Sequence, residues 1–354
     1  MQVDYIIVGQ GISGTFLSWY LQKAQKSFIV IDNNDSNAPS RLAAGIINPV
    51  TGRRMVTVWM ADEILPFAKQ AYDEIGKELG ITAISQKNII DFFPNPFMRE
   101  NFLKRLTEGN DYIGRVIDEQ QFSSFFNYEF GCGEIKPAYT AHLEILLPVW
   151  RKQLKDSGAL MEEDFDITQL KVSDGKVQYA NIESDKIIFC DGAAGTHNPY
   201  FKQLPFAPNK GEALVVEIPG LPASNLFKKS MMLAPLPGAG KDIFWIGSNY
   251  IWDFENADPT TAFRKSVEGV LKEWLKLPYT IMEHRAGIRP ATLERRPFVG
   301  FHPQLPGIGI LNGMGTKGCS LAPLFAKQIV DHITAGLPIH ADADVKRFTR
   351  VLSR

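Results

Sequence analysis

The N-terminal pattern of apolar positions predicts a strand, a tight turn, a helix and a second strand. Residues 3–8 are mostly apolar, and an apolar run of this length is typical of a strand buried on both faces. A glycine-rich segment, 9–14, follows at once, and apolar side chains then recur at helical spacing over 16–21. A β-rich run at 27–31 ends on Asp32. Together these elements have the size of one βαβ unit, about 30 residues.

Two later stretches repeat the pattern of a buried strand that ends at glycines. Residues 185–190 predict one such strand, and residues 308–311 predict another that runs into the glycine-rich segment 312–318. A helix is expected next, with Ser320 as its N-cap and Gly336 just past its end.

Segments 92–132 and 210–274 have a different composition. Both are rich in aromatic residues and contain alternating runs, as at 213–218 and 243–246. Such runs indicate strands of an antiparallel sheet. The chain is therefore predicted to be an α/β protein with a parallel sheet and a second region built on an antiparallel sheet.

The composition excludes several classes of protein. The chain has 354 residues, 45% of them hydrophobic and 22% charged, which excludes disordered, collagenous and coiled-coil chains. The net charge of −1 lacks the positive excess of a nucleic-acid binder. The three cysteines and six histidines show no spacing typical of a disulfide framework or a metal site. We expect a cytoplasmic protein with no metal, no direct nucleic-acid partner and no transmembrane segment.

The turn after the first strand has the spacing of a dinucleotide-binding motif. Gly9 permits a tight turn, Gly11 allows close approach to a pyrophosphate, and Gly14 lets the helix pack closely. The helix N-terminus offers amide donors to the anion, and Asp32 would accept a hydrogen bond from a ribose 2′-hydroxyl. These residues predict a dinucleotide but do not distinguish NAD from FAD.

Four separated segments resemble the D-amino-acid oxidase and glycine oxidase (DAO) family of FAD-dependent oxidoreductases. They are residues 40–49 (SRLAAGIINP), the strand before Gly192, residues 287–290 (GIRP) and residues 312–318 (NGMGTKG). The likeness covers both ends of the chain and is weak over residues 86–131. It implies FAD as the cofactor. No cysteine or histidine stands where covalently flavinylated relatives attach the ring, so we expect non-covalent binding.

The resemblance implies a Rossmann-like FAD-binding domain, a parallel sheet with helices, interleaved with an α+β substrate domain on an antiparallel sheet. The segments expected to contact FAD fall at the start, the middle and the end of the chain, so neither domain is continuous. We expect the FAD-binding domain at residues 1–85, 140–205 and 285–354, and the substrate-binding domain at residues 86–139 and 206–284.

The resemblance also places FAD contacts along the chain. Residues 44–46 and 315–320 would line the isoalloxazine ring, and the helix beginning near Ser320 would direct its amides at the N1/C2 edge of the flavin. Phe165 is assigned to the adenine side, with core packing as the alternative. The full set of expected FAD contacts is Gly9, Gly11, Ile12, Ser13, Gly14, Asp32, Asn33, Ser40, Arg41, Ala43, Ala44, Gly45, Ile46, Phe165, Gly192, Gly315, Thr316, Lys317, Gly318, Cys319 and Ser320.

By the same resemblance, Arg289 and Lys317 are the expected catalytic residues. Arg289 matches the family arginine that holds the substrate carboxylate, and a guanidinium makes two parallel charge-assisted hydrogen bonds. Lys317 stands where sarcosine oxidases have a lysine close to the flavin, a solvated loop lysine being the alternative. Tyr250, Trp252 and Trp245 are expected at the substrate pocket, with core packing as the alternative for the first two. Trp245 replaces the lysine that sarcosine oxidases associate with oxygen activation, which puts rapid reaction with O2 in doubt.

The implied activity is oxidation of the C–N bond of a small amino acid or secondary amine by hydride transfer to flavin N5. The expected partners are a small anionic amine and an electron acceptor, either O2 or a carrier. Three alternatives stay open from the sequence. They are a nucleotide-linked amine as in tRNA wobble-uridine modification, a non-catalytic flavin-binding subunit, and a nicotinamide-dependent dehydrogenase.

Overall fold

The structure is a computed structural model that describes residues 1–173 and 175–353. Its α-helices are α1 (Ile12–Lys23), α2 (Pro39–Leu42), α3 (Ala61–Leu79), α4 (Pro96–Thr107), α5 (Leu143–Asp156), α6 (Thr261–Trp274), α7 (Gly318–Ala335) and α8 (Thr349–Leu352). Its strands are β1 (Gln2–Val8), β2 (Phe28–Ile31), β3 (Ile46–Ile47), β4 (Val50–Thr51), β5 (Val56–Thr57), β6 (Ile84–Gln86), β7 (Ile89–Phe92), β8 (Ile113–Arg115), β9 (Cys132–Ile135), β10 (Tyr139–Ala141), β11 (Leu160–Met161), β12 (Leu170–Ser173), β13 (Lys176–Tyr179), β14 (Ile182–Phe189), β15 (Asn209–Glu217), β16 (Leu226–Lys228), β17 (Met232–Pro235), β18 (Ile243–Gly247), β19 (Thr280–Arg289), β20 (Phe298–Phe301) and β21 (Ile308–Asn312).

The first sheet is parallel at its centre. Strands β11, β2, β1, β14 and β21 lie side by side and parallel, and β20 adds an antiparallel edge. The hairpin β12–β13 pairs with the first half of β14. Alternate residues of β1 enter two different cores: Ile7 packs with the helices on one face, and Ile6 and Val8 pack on the other. Burial on both faces explains why β1 is a continuous apolar run instead of an alternating one.

Helix α1 lies in the core between this sheet and helices α3, α5 and α7. Its residues from Ile12 to Leu21 are all buried. The ring of Phe16 meets Tyr72 of α3 edge to face, with ring centroids 4.9 Å apart. The βαβ unit predicted from the N-terminal pattern is therefore present, and the first helix has no solvent-facing side between Ile12 and Leu21.

The second sheet has the strand order β19-β15-β18-β17-β16-β7-β9-β8. Its neighbours are antiparallel except for the parallel pair β16–β7. One face packs on α6, where Val267 and Trp274 meet apolar residues of the sheet such as Leu214. The opposite face carries Val215 and Trp245, which pack in a separate core with residues such as Ala44.

The chain passes repeatedly between the two sheets. Strands of the second sheet come from residues 89–135 and 209–289, and those of the first from residues 2–31, 160–189 and 298–312. The last strand of the second sheet, β19, runs to Arg289 and so passes the boundary expected after residue 284. Within the two described ranges, no helix has both the length and the apolar character that crossing a bilayer requires.

Helix α7 begins earlier than its sequence suggests. A 3-10 turn at Gly315–Lys317 leads directly into the helix, which starts at Gly318 with Lys317 as the N-cap. Ser320 was expected to be the N-cap, and this expectation is wrong. It lies inside the first turn, where its hydroxyl donates to the Lys317 carbonyl at 3.1 Å. Gly336 ends the helix in the left-handed conformation, at φ 67°, as predicted.

Candidate active site

A cleft of about 900 Å³ lies between the two sheets. The carboxyl ends of four parallel strands open into it, at Val8, Ile31, Phe189 and Asn312, which is where α/β sheets bind ligands. Most of the site residues expected from the sequence line this cleft. They are Gly9, Gly11, Ile12, Ser13, Asp32, Asn33, Ser40, Ala43, Ala44, Gly45, Ile46, Phe165, Gly192, Trp245, Tyr250, Arg289, Gly315, Thr316, Lys317, Gly318, Cys319 and Ser320.

Three expected residues do not line the cleft. Gly14 lies under the turn in α1, and Arg41 points to the carboxylate of Asp32. Trp252 is exposed and does not line the cleft, although Tyr250, which is similarly exposed, does.

The glycines of the first turn are required by close backbone contacts. Gly9 has φ +98°, and a Cβ there would lie 2.5 Å from the Cys190 carbonyl oxygen. A Cβ on Gly14 would lie 1.9 Å from the carbonyl oxygen of Gly9. These contacts press α1 against the turn, so that its N-terminus, whose first amides have no carbonyl partner within the helix, faces the cleft.

Asp32 is held by a hydrogen-bond network in which Arg151 is buried. Its carboxylate accepts from the Gln10 amide at 2.8 Å and from Arg151 Nη1 at 2.5 Å. Arg151 also bonds to Glu162, and Arg41 Nη2 lies 3.5 Å from the Asp32 carboxylate. The network fixes the carboxylate at the end of β2. Sequence reasoning missed Gln10 and Arg151, because Arg151 is 119 residues from Asp32 and no motif contains it.

The segment expected to line the flavin is clamped from both sides. Gly45 has φ +70°, and a Cβ there would lie 1.8 Å from the Ala141 carbonyl oxygen. On the other side, Trp245 Nε1 donates to the Leu42 carbonyl oxygen at 3.1 Å. Residues 42–46 are therefore fixed against β10 and β18, and Trp245 forms a wall of the cleft.

Arg289 projects into the cleft among neutral partners. Its Nη1 donates to Asn209 Oδ1 at 2.7 Å, its Nη2 donates to Ser248 Oγ at 2.8 Å, and its guanidinium lies 4.9 Å from the ring of Tyr250. Burial lowers the pKa of Arg289. The guanidinium packs directly on Gly211, where a Cβ would lie 1.7 Å from Nη2. The positive charge is thus positioned by neutral groups and not compensated by them.

A buried carboxylate supports the loop that holds Arg289. The side chain of Glu212 is fully buried and accepts from the Thr260 amide at 2.6 Å and from Asn249 Nδ2 at 3.3 Å, and it lies 3.1 Å from His284 Nε2. The Asn249 carbonyl oxygen in turn accepts from Arg289 Nη1 at 3.2 Å. Sequence reasoning missed Glu212, Asn209 and Asn249, because their roles arise only from strand pairing.

Lys317 adds a second positive charge to the cleft. Burial lowers the pKa of Lys317, and the nearby cations Arg296 and Arg295 lower it further. Lys317 is also the N-cap of α7, whose N-terminus faces the cleft. The positive end of the helix dipole and the Lys317 ammonium therefore favour an anion on this side of the cleft.

Phe165 lines the cleft and also packs on the core, while its contact with adenine stays a prediction. Its ring stacks on Tyr179 with ring centroids 4.7 Å apart and an angle of 19° between the planes. The ring of Phe165 therefore packs against Tyr179 in the core, and the residue also forms part of the cleft wall.

Asp191 is a titratable group in the cleft that sequence reasoning missed. Its carboxylate accepts from Asn312 Nδ2 at 2.8 Å and from Asn198 Nδ2 at 3.2 Å. Burial raises the pKa of Asp191 to about 6 despite these two donors. At neutral pH the folded protein therefore holds a charge where desolvation disfavours one.

This shift predicts a pH dependence of stability. An unfolded aspartate loses its proton near pH 3.8, whereas Asp191 in the folded chain keeps it to about pH 6. The contribution of Asp191 to the free energy of unfolding therefore falls as pH rises between these values, by up to about 3 kcal/mol. Asp191→Asn removes the titration, so the variant should gain stability relative to wild type between pH 4.5 and pH 7 in urea unfolding. A difference in stability that does not change with pH would contradict this assignment.

Nearly the whole chain matches one known protein family. The model of the DAO family, described as FAD dependent oxidoreductase, matches residues 4–332.

Among the described residues, no three His, Cys, Asp or Glu side chains are grouped so as to hold a metal ion.

Solved structures share the whole fold. Glycine oxidase from Bacillus cereus ATCC 14579 superposes with a TM-score of 0.80 at 15% identity, covering 96% of this chain and 99% of that chain. Iminodiacetate oxidase from Chelativorans sp. BNC1 has a TM-score of 0.77 at 18% identity, covering 96% and 98%. L-proline dehydrogenase from P. horikoshii has a TM-score of 0.75 at 15% identity, covering 99% and 98%. At such identities the likeness shows the fold alone.

Proposed function

Since the chain belongs to the DAO family of FAD-dependent oxidoreductases, we propose that it oxidises the C–N bond of a small amino acid or secondary amine that carries a carboxylate. FAD is the cofactor of this family. The observation that carries the substrate proposal is the Arg289 guanidinium, which faces the cleft with only neutral hydrogen-bond partners.

The residues of the cleft fit FAD. The glycine turn leaves room for a diphosphate at the N-terminus of α1, where the Ile12 amide donates to Ser40 Oγ and the serine hydroxyl keeps its own proton to donate. Asp32 would accept from the ribose, and residues 44–46 and 315–320 would line the flavin. When bound, FAD would supply the acceptor for the hydride, and with it the two electrons, that leaves the substrate carbon.

The protein's own contribution is binding and orientation. Arg289 would bind the substrate carboxylate through two parallel hydrogen bonds and so fix the direction of the Cα–H bond. Trp245 and Tyr250 would wall the pocket, and Trp245, which is buried, would exclude water on its side. The oxidised product, an imine, then hydrolyses in water to a carbonyl compound and ammonia, or to a carbonyl group and an amine when the substrate is a secondary amine. None of these tasks requires a histidine or glutamate as a catalytic base, provided that the amine binds in its neutral form.

The electron acceptor and the compartment are also proposals. Trp245 stands where a lysine would favour reaction with O2, which supports a carrier as the acceptor. The three cysteines, Cys132, Cys190 and Cys319, are buried free thiols, which supports a reducing, cytoplasmic environment.

Anaerobic mixing of the purified yellow holoenzyme with a panel of amines tests the proposal. The panel contains glycine, sarcosine, proline and D-amino acids, each paired with its decarboxylated amine. We expect loss of visible flavin absorbance with at least one carboxylate-bearing amine and a much slower loss with its decarboxylated partner. Absence of bleaching across the panel would refute the proposal, and so would equal rates within every pair. Release of the yellow cofactor on acid precipitation separately tests non-covalent binding.

A further inference from the structure

A row of paired residues crosses the cleft face of the second sheet. Ala213 of β15 pairs with Gly247 of β18, Gly247 pairs with Met232 of β17, Met232 pairs with Lys228 of β16, and Lys228 pairs with Asp91 of β7. Directly paired residues in neighbouring strands share one face of a sheet. All members of this row except Asp91 line the cleft.

The far end of this row is an ion pair. Lys228 Nζ lies 2.7 Å from Asp91 Oδ2, and Asp91 is only 2% exposed whereas Lys228 reaches the cleft. Burial raises the pKa of Asp91, and the Lys228 ammonium opposes that rise. The carboxylate thus fixes the ammonium in place. An ammonium has three donors, and Asp91 takes one of them.

The near end of the row is the arginine site. The guanidinium of Arg289 rests on Gly211, two residues before Ala213 in β15. Strand β16 is the third strand from β15, so the two strands lie roughly 14 Å apart at the usual spacing between neighbouring strands. Between them the floor consists of Ala213, Gly247 and Met232. The first two have little or no side chain, so the floor is a trough that runs from the guanidinium to the ammonium.

We propose that Lys228 is a second substrate anchor, and that the substrate carries a hydrogen-bond acceptor oxygen at the end of an apolar spacer opposite its α-carboxylate. This inference rests on the proposed function, since it takes Arg289 as the carboxylate site. The spacer lies over the trough, where it contacts Met232 and the wall formed by Trp245. The α-carboxylate compensates the charge of Arg289, and Asp91 already compensates that of Lys228. An uncharged acceptor, such as a terminal carboxamide, therefore fits the balance of charge better than a second carboxylate.

The test compares matched substrates in the holoenzyme. A series of α-amino acids with a terminal carboxamide and increasing spacer length is run beside apolar analogues of the same shape, with anaerobic bleaching of the flavin as the readout. At the best spacer length we expect kcat/KM to favour the carboxamide by about tenfold or more, as for a hydrogen bond to a charged group.

Variants then assign that preference to Lys228. Lys228→Met alone would leave Asp91 buried and unpaired, so the informative variant is Asp91→Asn with Lys228→Met. In it the carboxamide-to-apolar ratio should fall to near one. The matched control removes an ion pair far from the cleft, Lys176 with Asp185, and should leave the ratio as in wild type.

The outcomes separate the two proposals. A wild-type enzyme that no amine reduces refutes the proposed function. Reduction without a carboxamide preference, or with a preference that the double variant keeps, overturns the Lys228 anchor and leaves the proposed function standing. A terminal carboxylate that is preferred in wild type and not in the double variant supports the anchor.

Discussion

Replacing Arg289 with methionine is expected to lower kcat/KM for a carboxylate-bearing amine by about 100-fold or more. The reason is the loss of two hydrogen bonds to a charged group, each of which contributes about 1.5 to 3 kcal/mol, in a partly buried site. Most of the effect should fall on KM, because the guanidinium holds a part of the substrate that does not react. Steady-state kinetics with an artificial electron acceptor, with the same amine lacking its carboxylate as a second substrate, measure it.

Two further variants separate charge from geometry at this site. Arg289→Lys keeps the charge but loses the planar fork, and should be intermediate. Gly211→Ala keeps the arginine and displaces it, because a Cβ there would lie 1.7 Å from Nη2. Its KM for the carboxylate substrate should rise as well. Equal losses for the amine with and without its carboxylate would show that Arg289 does not bind that group.

Replacing Gly14 with alanine is expected to abolish stable FAD binding and to lower the free energy of unfolding by several kcal/mol. Helix propensity alone predicts the opposite, a gain of about 1 kcal/mol from glycine to alanine inside a helix. The contact decides, because the new Cβ would lie 1.9 Å from the Gly9 carbonyl oxygen, and this backbone atom is held within the turn. The ratio of visible flavin absorbance to protein absorbance and the Tm of the purified variant give the measurement.

The matched control is Gly269→Ala in α6. Gly269 also lies inside a helix, but a Cβ there would meet no atom within 4 Å. This variant should bind FAD normally and gain about 0.5 to 1 kcal/mol. Equal FAD content and equal Tm in the two variants would show that Gly14 is not needed for the close packing of α1 on the turn.

The glycine turn and Arg289 could both be predicted because each lies in a short segment whose residue spacing is visible in the sequence. Gly9 and Gly14 are required by contacts within one βαβ unit, and the order of these residues appears in the chain itself. Arg289 lies in a short segment with the spacing of a known family. Local spacing also predicted α7 but gave the wrong N-cap. The 3-10 turn that precedes the helix makes it begin at Gly318, so Ser320 lies inside the first turn.

The residues that hold these groups in position could not be predicted from the sequence. Arg151 reaches Asp32 from α5, and Glu212 reaches the loop before α6 and a histidine of β19. Asp191 titrates near pH 6 only because the ends of β14 and β21 enclose it. Residue type and spacing say nothing about such contacts, since each depends on which strands become neighbours.

The sequence by itself determined the βαβ unit, the glycine turn, the family and the residues that its motifs contain. These follow from local periodicity and from backbone conformations that only glycine adopts without strain. Only the tertiary structure decided that Trp252 lies outside the cleft, that Arg289 rests on Gly211 among neutral partners, and that Lys228 and Asp91 end a row across the sheet. Strand register sets these placements, and register depends on pairing between residues that are far apart in the chain.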